Sequence, residues 1–258
     1  LAVGVDDLEG KHANTQVPKI IGAARLYELT GSKRDSAIAS FFWHTVVQNH
    51  SYVNGGNSDG EHFGTPGQLN ERLSTSNTET CNTYNMLKLT RHLFSWQSLP
   101  EYSAYYERAV FNHILASQNP DDGMCTYYTP LISGGKKGME NHVKYGDFIY
   151  FEGSDSSLWV NLFIPSQLNW TDRKMIVTQD TDIPSSDKTV LTVKTEKPQS
   201  VIFRLRYPEW AESMRIKVNG SSVSFEASNN SYVSIEREWK DNDKIEITFK
   251  IKFYTVSM

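Results

Sequence analysis

Among its 258 residues the chain holds only two cysteines, Cys81 and Cys125. Two thiols exclude a disulfide-built scaffold, so the fold must rest on packing. No apolar run approaches the length of a membrane span, which excludes a bundle of membrane helices. Basic charge is not in excess either, since the net charge is −4. That balance leaves no electrostatic footprint for nucleic acid or an anionic membrane, and neither is expected as a partner. No signal peptide precedes Leu1 and no initiator Met opens the chain. It therefore reads as a fragment, with compartment (periplasmic, secreted or cytoplasmic) and oligomeric state left open.

What is present divides by period. Pro18 at a first-turn position predicts a helix over Val17–Leu29, closed by Thr30-Gly31. Asp35 to about Asn49 predicts a second, Glu79–Trp96 a third, and a fourth runs from behind Pro100 to about Gln118, burying Tyr105, Ala109, Ile114 and Leu115. One long glycine-rich connection joins the second and third, and connections of that length usually carry function. Paired helices with chemistry in loops at one end suit part of an (α/α) toroid. From about Asp147 the period changes to two, with strands at Ile149–Phe151, Leu158–Ile164, Met175–Val177, Val190–Val193, Val201–Leu205, Arg215–Val218, Tyr232–Ile235 and Ile245–Phe253. Asn219-Gly220 is the clearest hairpin signal, and the spacing predicts an antiparallel β-sandwich. The expected organisation is a helical domain over residues 1–140 that carries the active-site loops, and a β-sandwich over residues 141–258. Trp43, Trp96 and Trp159 fit cores by spacing, and the wealth of aromatics suits either sugar stacking or core filling.

Chemistry concentrates in Gly60-Glu61-His62-Phe63 and Thr78-Glu79-Thr80-Cys81. Glu79 and Cys81 sit two apart at a helix start, where unpaired backbone N–H groups favour a thiolate. Glu61 ends a loop, Asn54-Gly55-Gly56-Asn57-Ser58-Asp59, that core packing does not explain. Two carboxylates and a soft sulfur point to a metal site or to acid–base chemistry. The competing reading makes Glu79 a capping-box glutamate and Cys81 a small buried hydrophobe.

Five motifs fall in order: Gly10-Lys11-His12-Ala13-Asn14-Thr15-Gln16, Gly55-Gly56 with Gly60-Glu61-His62-Phe63, Glu79-Thr80-Cys81-Asn82, Asn119-Pro120-Asp121-Asp122-Gly123-Met124, and Gly138-Met139-Glu140-Asn141-His142. Together they resemble glycoside hydrolase family 127, the β-L-arabinofuranosidase superfamily. The resemblance implies an (α/α)6 barrel followed by β-sandwiches, of which this chain would hold the second half of the barrel and the first sandwich. It implies a retaining enzyme that releases terminal L-arabinofuranose from plant-type glycans, with an arabinose-containing oligosaccharide as partner. Carried over by position, Glu61 matches the general acid/base, Glu79 and Cys81 match two ligands of a zinc ion, and His12 matches a histidine that contacts the sugar. His62, beside Glu61, is a second candidate for substrate. An acid at Glu61 calls for burial or a nearby charge that raises its pKa.

The sequence departs from the family at the nucleophile. The family's adjacent cysteines, both of them zinc ligands and the first the nucleophile, are expected between Ile132 and Gly138; Ser133-Gly134-Gly135-Lys136-Lys137 stands there instead. Cys125 does not match the nucleophile and reads as a strand-like buried thiol. Three functions thus stay open: a glycosidase, a carbohydrate-binding relative whose catalysis has lapsed, and a structural or interaction module. Glu140, Asn141 and His142 are expected to pin the two halves together, Asp121-Asp122-Gly123 to form a turn, and His44 and His50 to be packing or surface residues.

Overall fold

The computed structural model describes residues 4–132, 137–138 and 146–252. They form helices and mainly antiparallel sheets in two compact units that meet in sequence between Tyr145 and Gly146. The expected boundary at residues 140 and 141 lies outside the described residues, as do Glu140, Asn141 and His142.

The first unit is built on α1 (Ala13–Thr30), α2 (Lys33–Thr45), α3 (Thr80–Trp96) and α4 (Pro100–Ala109). The apolar stripes read from the sequence face one another: Val17, Ile20 and Ala24 of α1, Phe42 and Trp43 of α2, Leu89, Leu93 and Phe94 of α3, and Tyr105 and Ala109 of α4 are buried. Each large side chain so buried contributes about 1.5–3 kcal/mol. The one polar atom of Trp43 is satisfied, because its Nε1–H donates to Thr90 Oγ1 at 2.8 Å. Gly31, at φ 72°, closes α1 as expected, its N–H returning to the carbonyl of Tyr27.

Three helix ends differ from expectation. α1 begins five residues before Val17's successor Pro18, which therefore lies inside the helix rather than in its first turn's opening position. The start is set instead by pairing, since the Ala13 N–H donates to the Glu61 carbonyl at 2.8 Å. α2 and α4 do not run on as α-helix. Each passes into a π-helical turn, Val46–His50 and Val110–Ile114. A π turn winds five residues where an α turn winds fewer, so positions beyond it rotate out of phase. Leu115, expected inward, is accordingly 55% exposed.

The second unit holds β3 (Tyr150–Glu152), β4 (Ser157–Val160), β5 (Ser166–Trp170), β6 (Met175–Thr181), β7 (Lys188–Thr195), β8 (Gln199–Tyr207), β9 (Ala211–Val218), β10 (Ser221–Val223), β11 (Ser231–Trp239) and β12 (Lys244–Ile251). β1 (Cys125–Thr126) and β2 (Lys137–Gly138) pair in the first unit. One sheet of the second unit runs β10-β9-β12-β7-β6-β5 and the other β11-β8-β4-β3. Inward-facing residues of both, among them Val177, Val193, Ile216 and Ile247 from one and Val160, Phe203 and Ile235 from the other, make a single core. Trp239 is fully buried there, its Nε1–H bonded to the Val201 carbonyl at 2.9 Å.

The antiparallel expectation needs one correction, because β4 pairs parallel with β8. The strand read over Leu158–Ile164 also stops at Val160. Beyond it the chain crosses to the other sheet through Asn161–Pro165, and Pro165 has no N–H to give a ladder. The Asn219-Gly220 hairpin is present, with φ 51° and 80° at its two central residues, as a type I′ turn requires. Trp159 is not a core residue: it is half-buried and packs against Tyr232 with Arg204 over its ring.

Candidate active site

The long connection between α2 and α3 is tied down by side chains rather than by a core of its own. Asp59 and His62 exchange both backbone hydrogen bonds, at 2.9 and 3.1 Å, so Gly60-Glu61 form a two-residue turn. Both carry positive φ, 51° and 70°. Glycine adopts that conformation freely, whereas glutamate there is strained by about 1–3 kcal/mol. Asn77 braces the turn, donating to Asp59, to the Arg72 carbonyl and to the Tyr52 hydroxyl. Thr78 is also left-handed, at φ 55°, which is unusual for a β-branched residue.

This bracing brings the sequence-predicted residues together. His12 Nε2 lies 3.0 Å from Glu61 Oε2. The His62 ring stands 5.1 Å from that of His12, edge to face, and its Nδ1–H donates to the Gly60 carbonyl, leaving Nε2 as an exposed acceptor. Glu79 is wholly buried and Cys81 half-buried. The residue that joins the two carboxylates is Tyr127, which was not singled out from the sequence. Its Oη lies 2.6 Å from Glu61 Oε1 and 2.7 Å from Glu79 Oε1. Backbone pairing fixes it there: Thr80 N–H donates to the Tyr127 carbonyl and Thr129 N–H to that of Thr78.

Glu79 is the N-cap residue of α3, yet its side chain makes no capping bond. The same holds for His12 at the start of α1. A good cap contributes about 1 kcal/mol. At both helix starts that contribution is given up and the side chain turns into the cluster, which argues against the capping-box reading of Glu79.

The proton inventory follows from the phenol. Tyr127 has one proton to donate but two carboxylates within reach. The hydroxyl can therefore donate to only one of the two at a time. Burial raises the pKa of Glu79, while the hydrogen bond from Tyr127, with help from His12, holds Glu61 below the usual carboxylate range. The two carboxyls are thus pushed in opposite directions, Glu79 toward its protonated form and Glu61 toward its ionised one. Tyr127 itself is held far above an ordinary phenol, by burial and by the two carboxylates. This reverses the expectation for Glu61, whose hydrogen bonds outweigh its desolvation.

The fit to a metal is partial. Glu79 Oε2 is buried and has no hydrogen-bond partner among the described residues, and the Cys81 thiol bonds to the same carboxyl. An oxygen and a sulfur donor suit a borderline-soft cation such as zinc. Among the described residues, however, no group of three such side chains could hold a metal ion. Other grooves carry less chemistry. Those of about 960 and 660 Å³ on the second unit contain neither cysteine nor histidine.

Sequence profiles decide the family. The profile of the β-L-arabinofuranosidase GH127 catalytic domain matches residues 1–157, and that of the GH127 middle domain matches residues 157–251. The chain belongs to glycoside hydrolase family 127. Solved structures agree on the fold. A GH127 β-L-arabinofuranosidase from Geobacillus stearothermophilus T6 is 21% identical with a TM-score of 0.81, over 95% of this chain and 43% of its own. A protein described as a glycoside hydrolase gives 20% identity and 0.81 over 95% and 48%, and a GH127 β-arabinofuranosidase gives 23% and 0.78 over 94% and 43%. The chain thus spans less than half the length of these relatives. No curated protein matches. Within this GH127 frame Cys125 is a buried thiol in a two-residue strand, and Asp121-Asp122-Gly123 forms the expected turn. His44 bonds to Glu101, and His50 is buried against Asp6.

Proposed function

We propose that this chain carries the site of a retaining glycoside hydrolase that releases terminal L-arabinofuranose from a glycan. In this reading the first unit is part of an (α/α)6 toroid and the second a β-sandwich. The observation that carries it is the single hydroxyl of Tyr127 standing between Glu61 and Glu79. Two carboxyl groups whose pKa values are pushed apart, joined through one hydroxyl, suit acid–base chemistry at a glycosidic oxygen.

Glu61 is the acid/base. It is partly exposed, sits on the strained turn, and accepts from both His12 and Tyr127. Tyr127 Oη links the two carboxyls, and in the absence of a metal a proton can pass along it from Glu79 Oε1 to Glu61 Oε1, which leaves Glu79 anionic and able to act as a ligand. Glu79 and Cys81 would then hold a zinc ion, with further ligands from outside this pair. Bound there, zinc would keep the sulfur of its ligand Cys81 in the thiolate form. His12 orients Glu61, and the exposed Nε2 of His62 accepts from a sugar hydroxyl.

A second reading has its own observation. No cysteine stands between Ile132 and Gly138 to serve as nucleophile, which favours a carbohydrate-binding relative without turnover. One experiment separates the two: turnover of an aryl β-L-arabinofuranoside by the wild type, Glu61→Gln and Tyr127→Phe, with L-arabinose binding measured in parallel. Hydrolysis by the wild type, lost in Glu61→Gln and weakened in Tyr127→Phe, supports the enzyme. Binding without hydrolysis supports the second reading, and normal turnover by Glu61→Gln removes the assignment of the acid.

A further inference from the structure

Among its described residues the first unit contains two π-helical turns, Val46–His50 and Val110–Ile114, in a conformation that accounts for well under ~1% of residues generally. Both directly follow an α-helix, and both carry a histidine that is at most 1% exposed. The hydrogen bonds of the two histidines go to different limbs of the site. We infer that the two π turns are a matched pair of positioning devices, His50 holding the limb of His12 and Glu61, and His113 holding the limb of Glu79 and Cys81. The inference rests on the site reading above, whose two limbs it explains.

On the first limb, His50 Nε2 lies 2.9 and 3.2 Å from the two oxygens of Asp6, and the Leu8 N–H donates to the same carboxylate at 3.2 Å. The His50 ring packs on Phe63 with centroids 5.2 Å apart. His50 therefore joins the segment that leads into α1 to the residue that follows Glu61-His62. Those two segments are laced by backbone bonds: Gly10 N–H to the Phe63 carbonyl, Phe63 N–H to that of Lys11, and Ala13 N–H to that of Glu61. The 3.0 Å contact of His12 with Glu61 sits in that lacing.

On the second limb, a carbonyl can only accept, so His113 Nε2–H donates to Thr78 at 2.9 Å. Nδ1 then accepts from the Thr83 hydroxyl at 2.8 Å. Thr78 precedes Glu79, and Thr83 lies one turn beyond it. His113 thus clamps the strained residue before the cap to the first turn of α3. An uninterrupted α-helix would carry both histidines to other faces, because a π turn changes the phase of what it contains.

The test uses His50→Leu and His113→Leu, with His50→Gln and His113→Gln as conservative variants that keep a donor near Nε2. Amide hydrogen exchange reads position without any substrate. His50→Leu is expected to speed exchange at Ala13 and Phe63, and His113→Leu at Thr80 and Thr129, while Leu89 and Leu93 within α3 keep wild-type rates. On the aryl arabinofuranoside the Leu variants are expected to lose about 10- to 100-fold in kcat with little change in KM, as misplaced groups do, with partial rescue by Gln. Where a Leu variant does not fold, Asp6→Ala and Thr83→Val remove one partner of each histidine and must give the same local pattern at smaller size. Exchange that is unchanged at those amides, or faster everywhere alike, overturns the proposal. If the wild type does not turn over substrate, the functional reading fails, and the exchange pattern alone decides this one.

Discussion

His113 gives the sharpest test of how the site is held. It is fully buried, and burial pushes its imidazole down from 6.5 to about 4. The neutral ring is satisfied at both nitrogens, donating to Thr78 and accepting from Thr83. A proton added at Nδ1 would turn that acceptor into a donor and place a charge in a fully buried site. Between pH 6.5 and about 4 the unfolded chain binds this proton and the folded chain does not, so stability rises with pH across that window. The contribution is complete above the unfolded value and is lost as the pH falls toward the folded one. At 1.36 kcal/mol per unit the interval is worth about 3 kcal/mol. Urea unfolding of the wild type and His113→Gln at steps from pH 8 to pH 4.5 measures it, since the other carboxylates and histidines cancel in the difference. The wild type's advantage is expected to shrink steadily below pH 6.5. Parallel stability curves over that range would refute the reasoning.

Gly56→Ala is expected to destabilise the first unit by about 1–3 kcal/mol, the usual cost of overpacking. A Cβ at that position would lie 2.6 Å from Thr78 Cβ and 2.8 Å from His113 Nδ1, so the strained residue before Glu79 must move. Urea unfolding checks the loss, and a variant as stable as the wild type would show that the loop gives way freely. In the second unit Trp239→Ala is expected to cost about 3–5 kcal/mol, because a fully buried indole leaves a cavity and its hydrogen bond to the Val201 carbonyl is lost. Calorimetry should show the transition of that unit move to lower temperature, and a loss below 1 kcal/mol would contradict the packing described.

The architecture was legible wherever one periodicity ruled a segment. The stripe of α3 and the alternation along β6, β7, β8, β9, β11 and β12 point inward in the structure as they do in the sequence. Errors arose where a second constraint overrode the period. Pro18 suggested a helix start, but the backbone bond from Ala13 to Glu61 begins α1 earlier. The π turns leave no mark in composition, since a change of winding rotates positions without changing residue types, and Leu115 was misplaced for that reason. β5 and β10 were missed because Ser166-Gln167-Leu168-Asn169-Trp170 and Ser221-Ser222-Val223 are polar and lie at the edges of their sheet, where little apolar alternation is required.

For the site, sequence spacing could place Glu79 and Cys81 near each other because two residues on one helical turn cannot separate. It could not bring in Tyr127, which reaches Glu79 only through pairing of residues 127–129 with 78–80, a contact across 48 residues. The one available hint was two adjacent tyrosines in a segment too short to bury both, and that hint is weak. Nor could sequence assign the proton. Glu61 and Glu79 are the same residue type in comparable motifs, and what separates them is solvent: one stands on an exposed turn and gains two hydrogen bonds, the other is sealed beneath it. The opposite shifts of the two carboxyls are therefore a consequence of where the chain buries its second glutamate.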